Sequence, residues 1–330
     1  MSKNKTRIIA VLVSVLLLAV IGVLGVKVYR MDSEDADRAA RAKQQTENRW
    51  KIKYNGEEHT VGSYVETYLL VGTDSDNSGC SDVLVKRFYN YTQADFIVLL
   101  AVNEEGKKIT AIQINRDTMM DVPWLDVLGR YGGTDFRQIA LAYNSGSGGT
   151  DSLKNTADAV SRLLFGLPVD HSAAFTMAGI NALNDLVGGV TVHIEDDLTP
   201  VDKALKKDST VTLHGEQAEH FLRARMVLAD DTNLARMRRH REYLGGFVSS
   251  AKKAMDADPQ FFMKSFDTLS PYMVTEMTTD ELLYLADRAQ KYGIDSIQYA
   301  EGELKIGEFY EFYPDMESLW NIIREIFNIN

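Results

Sequence analysis

The stretch Ala94–Asp117, ADFIVLLAVNEEGKKITAIQINRD, reads as two apolar strands around a polar tip. Phe96–Val102 and Ile109–Ile114 carry branched and large apolar side chains without a charge, and Glu104-Glu105-Gly106-Lys107 joins them as a four-residue loop. If Asn103 faces Lys108, paired residue numbers keep a constant sum, and Asp95 falls opposite Arg116. An acid and a base then meet at one end of a sheet, with Asp117 adjoining. Tyr68–Gly72 is a further strand, and Asp74, just beyond it, brings a second carboxylate to the same edge. Carboxylates clustered with arginine at strand ends suit a hard divalent cation bridging to phosphate oxygens. They suit a structural salt bridge as well, and spacing leaves both open.

Outward from this hairpin, short β-rich runs alternate with amphipathic helices. Ser152–Phe165 places Leu153, Ala157, Val160 and Leu164 at helical spacing and is expected to stop at Gly166. Met177–Val187 repeats the pattern before Gly188-Gly189 and a strand over Val190–Ile194. The tail offers helices near Thr279–Tyr292 and Met316–Phe327 with two short strands between. With no internal repeat and no linker inside 60–330, the pattern favours an α/β layered domain. The glycine-rich run Ser145–Gly149 precedes a helix; it reads as a phosphate-binding turn or as a flexible connector, and lacks the lysine of a P-loop.

Ile8–Val26 is uncharged, and at about 1.5 Å per residue a helix of this length approaches the ~30 Å hydrocarbon core. Lys3, Lys5 and Arg7 before it bias the amino terminus to the cytoplasm. A cleaved signal peptide is the rival, disfavoured by the long apolar run and the lack of a small-residue cleavage site. The expected layout is a cytoplasmic terminus (1–7), a single transmembrane anchor (8–26), a charged extracellular stalk (27–60) and an extracellular domain (61–330). The chain has formal charge −11; without the five basic residues of the first thirty, the remainder stands at −16. That excludes nucleic acid as a natural partner and requires any anionic ligand to be held by a local arginine cluster. The lone Cys80 excludes an intramolecular disulfide framework.

Such a cluster exists. Arg223, Arg225, Arg236, Arg238, Arg239 and Arg241 fall within nineteen residues. Arg236, Arg239, His240 and Tyr243 share one helix face by spacing, and Arg223 with Arg225 can serve one ligand only if the helix from Glu216 ends there. Convergent guanidinium groups match a pyrophosphate; a solvated basic face beside Asp230 and Asp231 is the alternative. The histidines show no metal-ligand spacing, and no G-x-S-x-G elbow marks a serine hydrolase.

From about Tyr68 to Leu244 the chain resembles the LytR-CpsA-Psr family of wall-glycopolymer ligases. The likeness rests on the order of LLVGTDSD (69–76), ADFIVLLAVN (94–103), ITAIQINRDTM (109–119), IALAYNSGSGG (139–149), LNDLVGGVTV (183–192), LHGEQAEHFLRAR (213–225) and NLARMRRHREYL (233–244). The resemblance implies a mixed central β-sheet flanked by helices in α-β-α layers, with an apolar tunnel for lipid. It implies transfer of a glycopolymer from a polyprenyl-pyrophosphate carrier to peptidoglycan, with Mg²⁺ on Asp74 and Asp95. Arg116, Arg223, Arg225, Arg236 and Arg239 match the family's arginines, and His240 joins them on the binding face. A carboxylate such as Asp117 or Asp231 is the candidate base.

The chain also departs from the family pattern. Gln93-Ala94-Asp95 stands where the family often has Arg-Ser-Asp, Asn233 where it has aspartate, and His240 where it has glutamine. Two function classes remain beside each other: a membrane-anchored, Mg²⁺-dependent glycopolymer phosphotransferase, and a non-catalytic module that binds or senses the same lipid-linked glycan. With water as acceptor the enzyme would be a pyrophosphatase.

Overall fold

The computed structural model describes residues 51–74, 90–126, 128–224, 232–258 and 261–329. Its elements in chain order are β1 (Lys51–Tyr54), β2 (Glu57–Thr60), β3 (Glu66–Thr73), β4 (Ala94–Asn103), β5 (Lys108–Ile114), β6 (Met119–Leu125), β7 (Tyr131–Gln138), α1 (Thr150–Leu163), β8 (His171–Thr176) and α2 (Met177–Leu186). There follow β9 (Val190–His193), β10 (Thr210–Leu213), α3 (Gln217–Arg223), α4 (Asn233–Ala257), α5 (Phe261–Leu269), β11 (Met273–Thr275), α6 (Thr279–Tyr292), β12 (Ile294–Gln298), β13 (Gly302–Ile306), β14 (Tyr310–Pro314) and α7 (Met316–Phe327). The expected anchor 8–26, the stalk up to residue 50, Cys80, Arg225 and Asp231 lie outside the described residues. Among those described, no helix is long and apolar enough to cross a membrane. The described residues divide into two compact units: a sheet unit (51–174, 274–277 and from 298 on) and a helical unit (175–273 and 278–297).

In the sheet unit, β4 pairs antiparallel with β5 from Ile97 opposite Ile114 to Asn103 opposite Lys108, the register counted from the sequence. Every residue of β3 is buried. Leu69, Val71, Ile97, Leu99 and Ile112 join Leu153 and Val160 of α1 and Ile323 and Phe327 of α7 in the core. The intervening Tyr68, Leu70, Val98 and Leu100 are buried too. Covering on both faces is why these strands read as continuous apolar runs rather than as alternation.

The β3–β4 ladder slips between Gly72 and Thr73. A Cβ at Gly72 would stand 2.9 Å from Phe96 Cβ, so the two strands approach here as only glycine permits. The bulge carries Asp74 to Gln93, whose backbone N–H donates to Asp74 Oδ1 at 2.9 Å.

Several elements differ from the expected layout. Residues 51–60, placed in the stalk, form an antiparallel hairpin turning at Asn55 and Gly56 with φ of 49° and 84°, the geometry of a two-residue Asn-Gly turn. Ile52 is buried and Tyr54 stacks on Trp320 of α7 at 4.5 Å, so apolar contacts offset the charged composition of the segment. α1 ends at Leu163, before the expected Phe165, because Phe165 already has φ 60°. The hairpin β6–β7 was not expected, and three strands rather than two lie between α6 and α7.

The helical unit is built on α4, which starts where Thr232 Oγ1 accepts from Ala235 N–H at 3.3 Å. α3 ends at Arg223 with Ala224 extended beyond it, the stop that a ligand shared by Arg223 and Arg225 requires, with Arg225 itself outside the described residues.

Candidate functional site

The hairpin register predicts that Asp95 faces Arg116, and the structure joins them. Arg116 Nη1 donates to Asp95 Oδ1, Nη2 donates to Gln93 Oε1, and Nε lies 3.4 Å from Asp117 Oδ1. Gln93 in turn bonds Asp74 through its backbone. A single bonded network therefore links the three carboxylates of Asp74, Asp95 and Asp117 to one guanidinium at the carboxyl end of β3. Formal charges in it sum to −2. Gln93, noted in the sequence as a departure, fills a defined place: its neutral amide oxygen accepts from Arg116 where an arginine would repel it.

Asp117 is 1% exposed. Its N–H donates to Asn115 Oδ1 at 3.0 Å, and Gln138 Nε2 donates to its Oδ1 at 3.3 Å and to Tyr310 O at 2.7 Å. Phe312 N–H donates to Asp117 O at 2.8 Å. So enclosed, Asp117 is placed to hold Arg116 in orientation. Sequence reasoning missed Gln138: twenty-one residues from Asp117, it carries no local signal.

The glycine-rich run is neither of the two things expected of it. Ser147 N–H donates to Asp151 Oδ2, Gly148 N–H to Ser152 Oγ and Gly149 N–H to Ser147 Oγ, at 2.9, 2.9 and 3.3 Å. The amides that a phosphate would need are thus satisfied internally, and Asp151 places a carboxylate at the start of α1. Asn90, 2% exposed, fixes the turn through Nδ2 donation to Tyr143 O at 2.8 Å and Ser152 Oγ at 3.1 Å.

In the helical unit, Arg236, Arg239, His240 and Tyr243 do share one face of α4, and all four are buried. A solvated basic face is therefore excluded for them. Arg239 donates through Nε to Phe221 O at 3.1 Å, through Nη2 to Ala224 O and through Nη1 to Asp196 Oδ2 at 3.0 Å, capping the carboxyl end of α3. Arg236 donates through Nε and Nη2 to Asn233 Oδ1 at 3.0 and 2.7 Å. Arg223 is exposed and paired with Glu219 at 2.7 Å. Arg238, 42% exposed, lies 3.9 Å from Asp196. Thus the donors seen on Arg239 serve the fold.

His240 Nε2 sits 3.2 Å from Leu222 O. Burial first, then the Arg236 charge, hold its imidazole well below the usual histidine range, so it is neutral when folded. The unfolded chain takes a proton near pH 6.5 that the folded chain refuses, so the stability present above that pH falls as pH drops below it. At pH 5.5 the expected cost is about 1.4 kcal/mol. Replacing His240 by glutamine should remove this component, and Tm measured for both proteins from pH 7.5 to 5 checks it. Parallel pH curves would show that His240 is not the titrating group.

Comparison with known proteins bears on what this arrangement serves. The LytR_cpsA_psr family model matches residues 24–325. Over 294 residues the chain is 26% identical to the polyisoprenyl-teichoic acid–peptidoglycan teichoic acid transferase TagU of Enterococcus faecalis, covering 87% of this chain and 84% of that one. The solved structure of gbs0355 from Streptococcus agalactiae matches with TM-score 0.63 and 21% identity, over 80% of this chain and 88% of that one. A TagT structure bound to LI-WTA matches with TM-score 0.57 and 19% identity, over 80% and 90%. At these identities the structural likeness establishes the fold: mixed α/β, with a central mixed sheet flanked by helices.

Proposed function

Because this chain belongs to the LytR_cpsA_psr family, we propose that it is a transferase that moves a glycopolymer from a polyprenyl-pyrophosphate carrier to peptidoglycan, with Arg116 at its reacting centre. The observation that carries the reading is the network in which Asp95, Gln93 and Asp117 aim one guanidinium, at the strand end where the family motif places it. The name of the Enterococcus faecalis relative, a teichoic acid transferase, supports the reaction class.

An acceptor hydroxyl forms a bond to the sugar-linked phosphorus, the bond from that phosphorus to the bridging oxygen breaks, and polyprenyl monophosphate leaves with that oxygen. The hydroxyl proton passes to a carboxylate or to water; Asp231, outside the described residues, remains the candidate base. Arg116 binds the diphosphate by giving up Gln93, since an amide oxygen is a weaker acceptor than a phosphate oxygen. Asp95 and Asp117 keep the fork oriented meanwhile, so catalysis is chiefly charge stabilisation and positioning.

The residues present fit Mg²⁺. Asp74 and Asp95 are hard oxygen donors in a network with two excess negative charges, and among the described residues Asp74 has no hydrogen bond or ion pair besides the Gln93 N–H. Among the described residues no group of three His, Cys, Asp or Glu is placed to hold a metal ion by itself, so Asp74 and Asp95 would share the ion with the diphosphate. When bound, the ion neutralises diphosphate charge. The apolar run 8–26 anchors the chain in the membrane, with the domain outside the cell.

With the full chain in detergent, Asp74→Asn should raise the Mg²⁺ concentration needed for half-maximal turnover at least about tenfold and leave Tm within a degree or two. Turnover of the variant at unchanged Mg²⁺ demand would remove Asp74 from the metal site. The second reading, a module that binds without transferring, draws on the neutral Gln93 and Asn233, each occupying a guanidinium. It predicts donor affinity without product.

A further inference from the structure

We propose that the open groove between the β6–β7 hairpin and β14 holds the glycan strand of the acceptor, a polymer of amino sugars. The proposal rests on the transferase reading for its identity as acceptor, and on the groove's own chemistry for its being a saccharide site.

Both walls of this groove start at Asp117. The chain enters β6 two residues after it, and β7 returns to Gln138, which pairs with Met119 and bonds Asp117 Oδ1. The third strand, β14, is tied to Asp117 O by Phe312 N–H at 2.8 Å and to Gln138 by Tyr310 O. Between them lies a groove of about 460 Å³, lined by Met119, Asp121, Phe136, Arg162, Tyr313 and Met316 among others. That volume lies in the range of small-ligand sites.

The lining selects the occupant. Three thioethers (Met119, Met120 and Met316) and two aromatic rings offer polarisable apolar surface, and a carboxylate and a guanidinium offer hydrogen-bonding groups. That combination matches a pyranose, apolar on its C–H faces and polar at its rim. A lipid tail would strip water from Asp121 and Arg162 without replacing it. Arg162 is held ready, its Nε donating to Asp158 Oδ2 at 2.8 Å and its guanidinium 5.5 Å from the Tyr131 ring centroid. Phe136 is 60% exposed, a large apolar side chain left to water two residues before Gln138 on β7.

The test uses the full chain in detergent and a soluble β-1,4-linked N-acetylglucosamine–N-acetylmuramic acid oligosaccharide without stem peptides, fluorescently labelled. Phe136→Ala and Arg162→Ala should each weaken its binding at least about fivefold to tenfold and raise the acceptor KM to match, with donor affinity retained. Ile306→Ala, 72% exposed and outside the groove, should change neither. Both side chains are exposed enough that folding is retained. Wild-type protein that fails to bind the oligosaccharide, or groove variants that bind it as wild type does, would overturn the proposal. Loss of oligosaccharide binding in the groove variants, in a protein that makes no transfer product, would uphold the groove and overturn the transferase reading instead.

Discussion

Arg116→Lys is expected to reduce turnover of the lipid-linked donor by about 10²–10³-fold while the protein still folds. Lysine keeps the charge but loses the fork, and the fork is what the structure organises: Nη1 on Asp95, Nη2 on Gln93 and Nε beside Asp117. A point charge cannot stay oriented between Asp95 and Asp117 and also meet a phosphate oxygen through a separate N–H. Alanine is the harsher change. It leaves the 1%-exposed Asp117 carboxylate without its cation, and breaking a buried pair in this way costs about 3–5 kcal/mol, so lost activity would be mixed with lost fold. Steady-state turnover beside a denaturation curve separates the two. Near-wild-type turnover by the lysine variant would mean that only net charge matters at this position.

Arg239→Ala is expected to destabilise the protein by about 3–5 kcal/mol, lowering Tm by on the order of 10 °C. Its 5%-exposed side chain satisfies Phe221 O, Ala224 O and Asp196, and removal strands two carbonyls and a carboxylate. Burial works against the Arg239 charge, and the hydrogen bond and charge of Asp196 offset part of that cost. Arg238→Ala, on the exposed side of the same helix, should stay within about 0.5 kcal/mol. Calorimetry on the two variants decides the matter. Equal Tm for both, with donor binding lost only in Arg239→Ala, would return Arg239 to the ligand and contradict its role as a helix cap.

The Asp95–Arg116 contact was legible in the sequence because a hairpin with a four-residue loop fixes its register by counting. The Asp74–Gln93 contact was not, since it depends on a bulge set by the approach of Gly72 to Phe96, a packing event with no compositional mark. Spacing placed Arg236, Arg239 and His240 on one helix face, yet could not tell inward from outward. Arg239 and His240 turn inward to the carbonyls at the end of α3, fifteen to eighteen residues upstream, and Arg236 to the Asn233 side chain on its own helix. The Asn55-Gly56 turn was a visible signal that the surrounding charges obscured. The β6–β7 hairpin hid for a different reason: Pro123, Gly132 and Gly133 break the alternation, and β7 is largely exposed, so no apolar period marks it. Gln138 and the groove beside Asp117 follow from that hairpin, and were invisible with it.

If Arg116 and its carboxylates serve glycopolymer transfer, the full chain incubated with a polyprenyl-diphosphate-linked glycan, Mg²⁺ and peptidoglycan should yield equal amounts of polyprenyl monophosphate and of glycan joined to peptidoglycan by a phosphodiester, with both products lost together in Arg116→Lys. Free glycan phosphate released to water, or donor that binds tightly and stays intact, would contradict it.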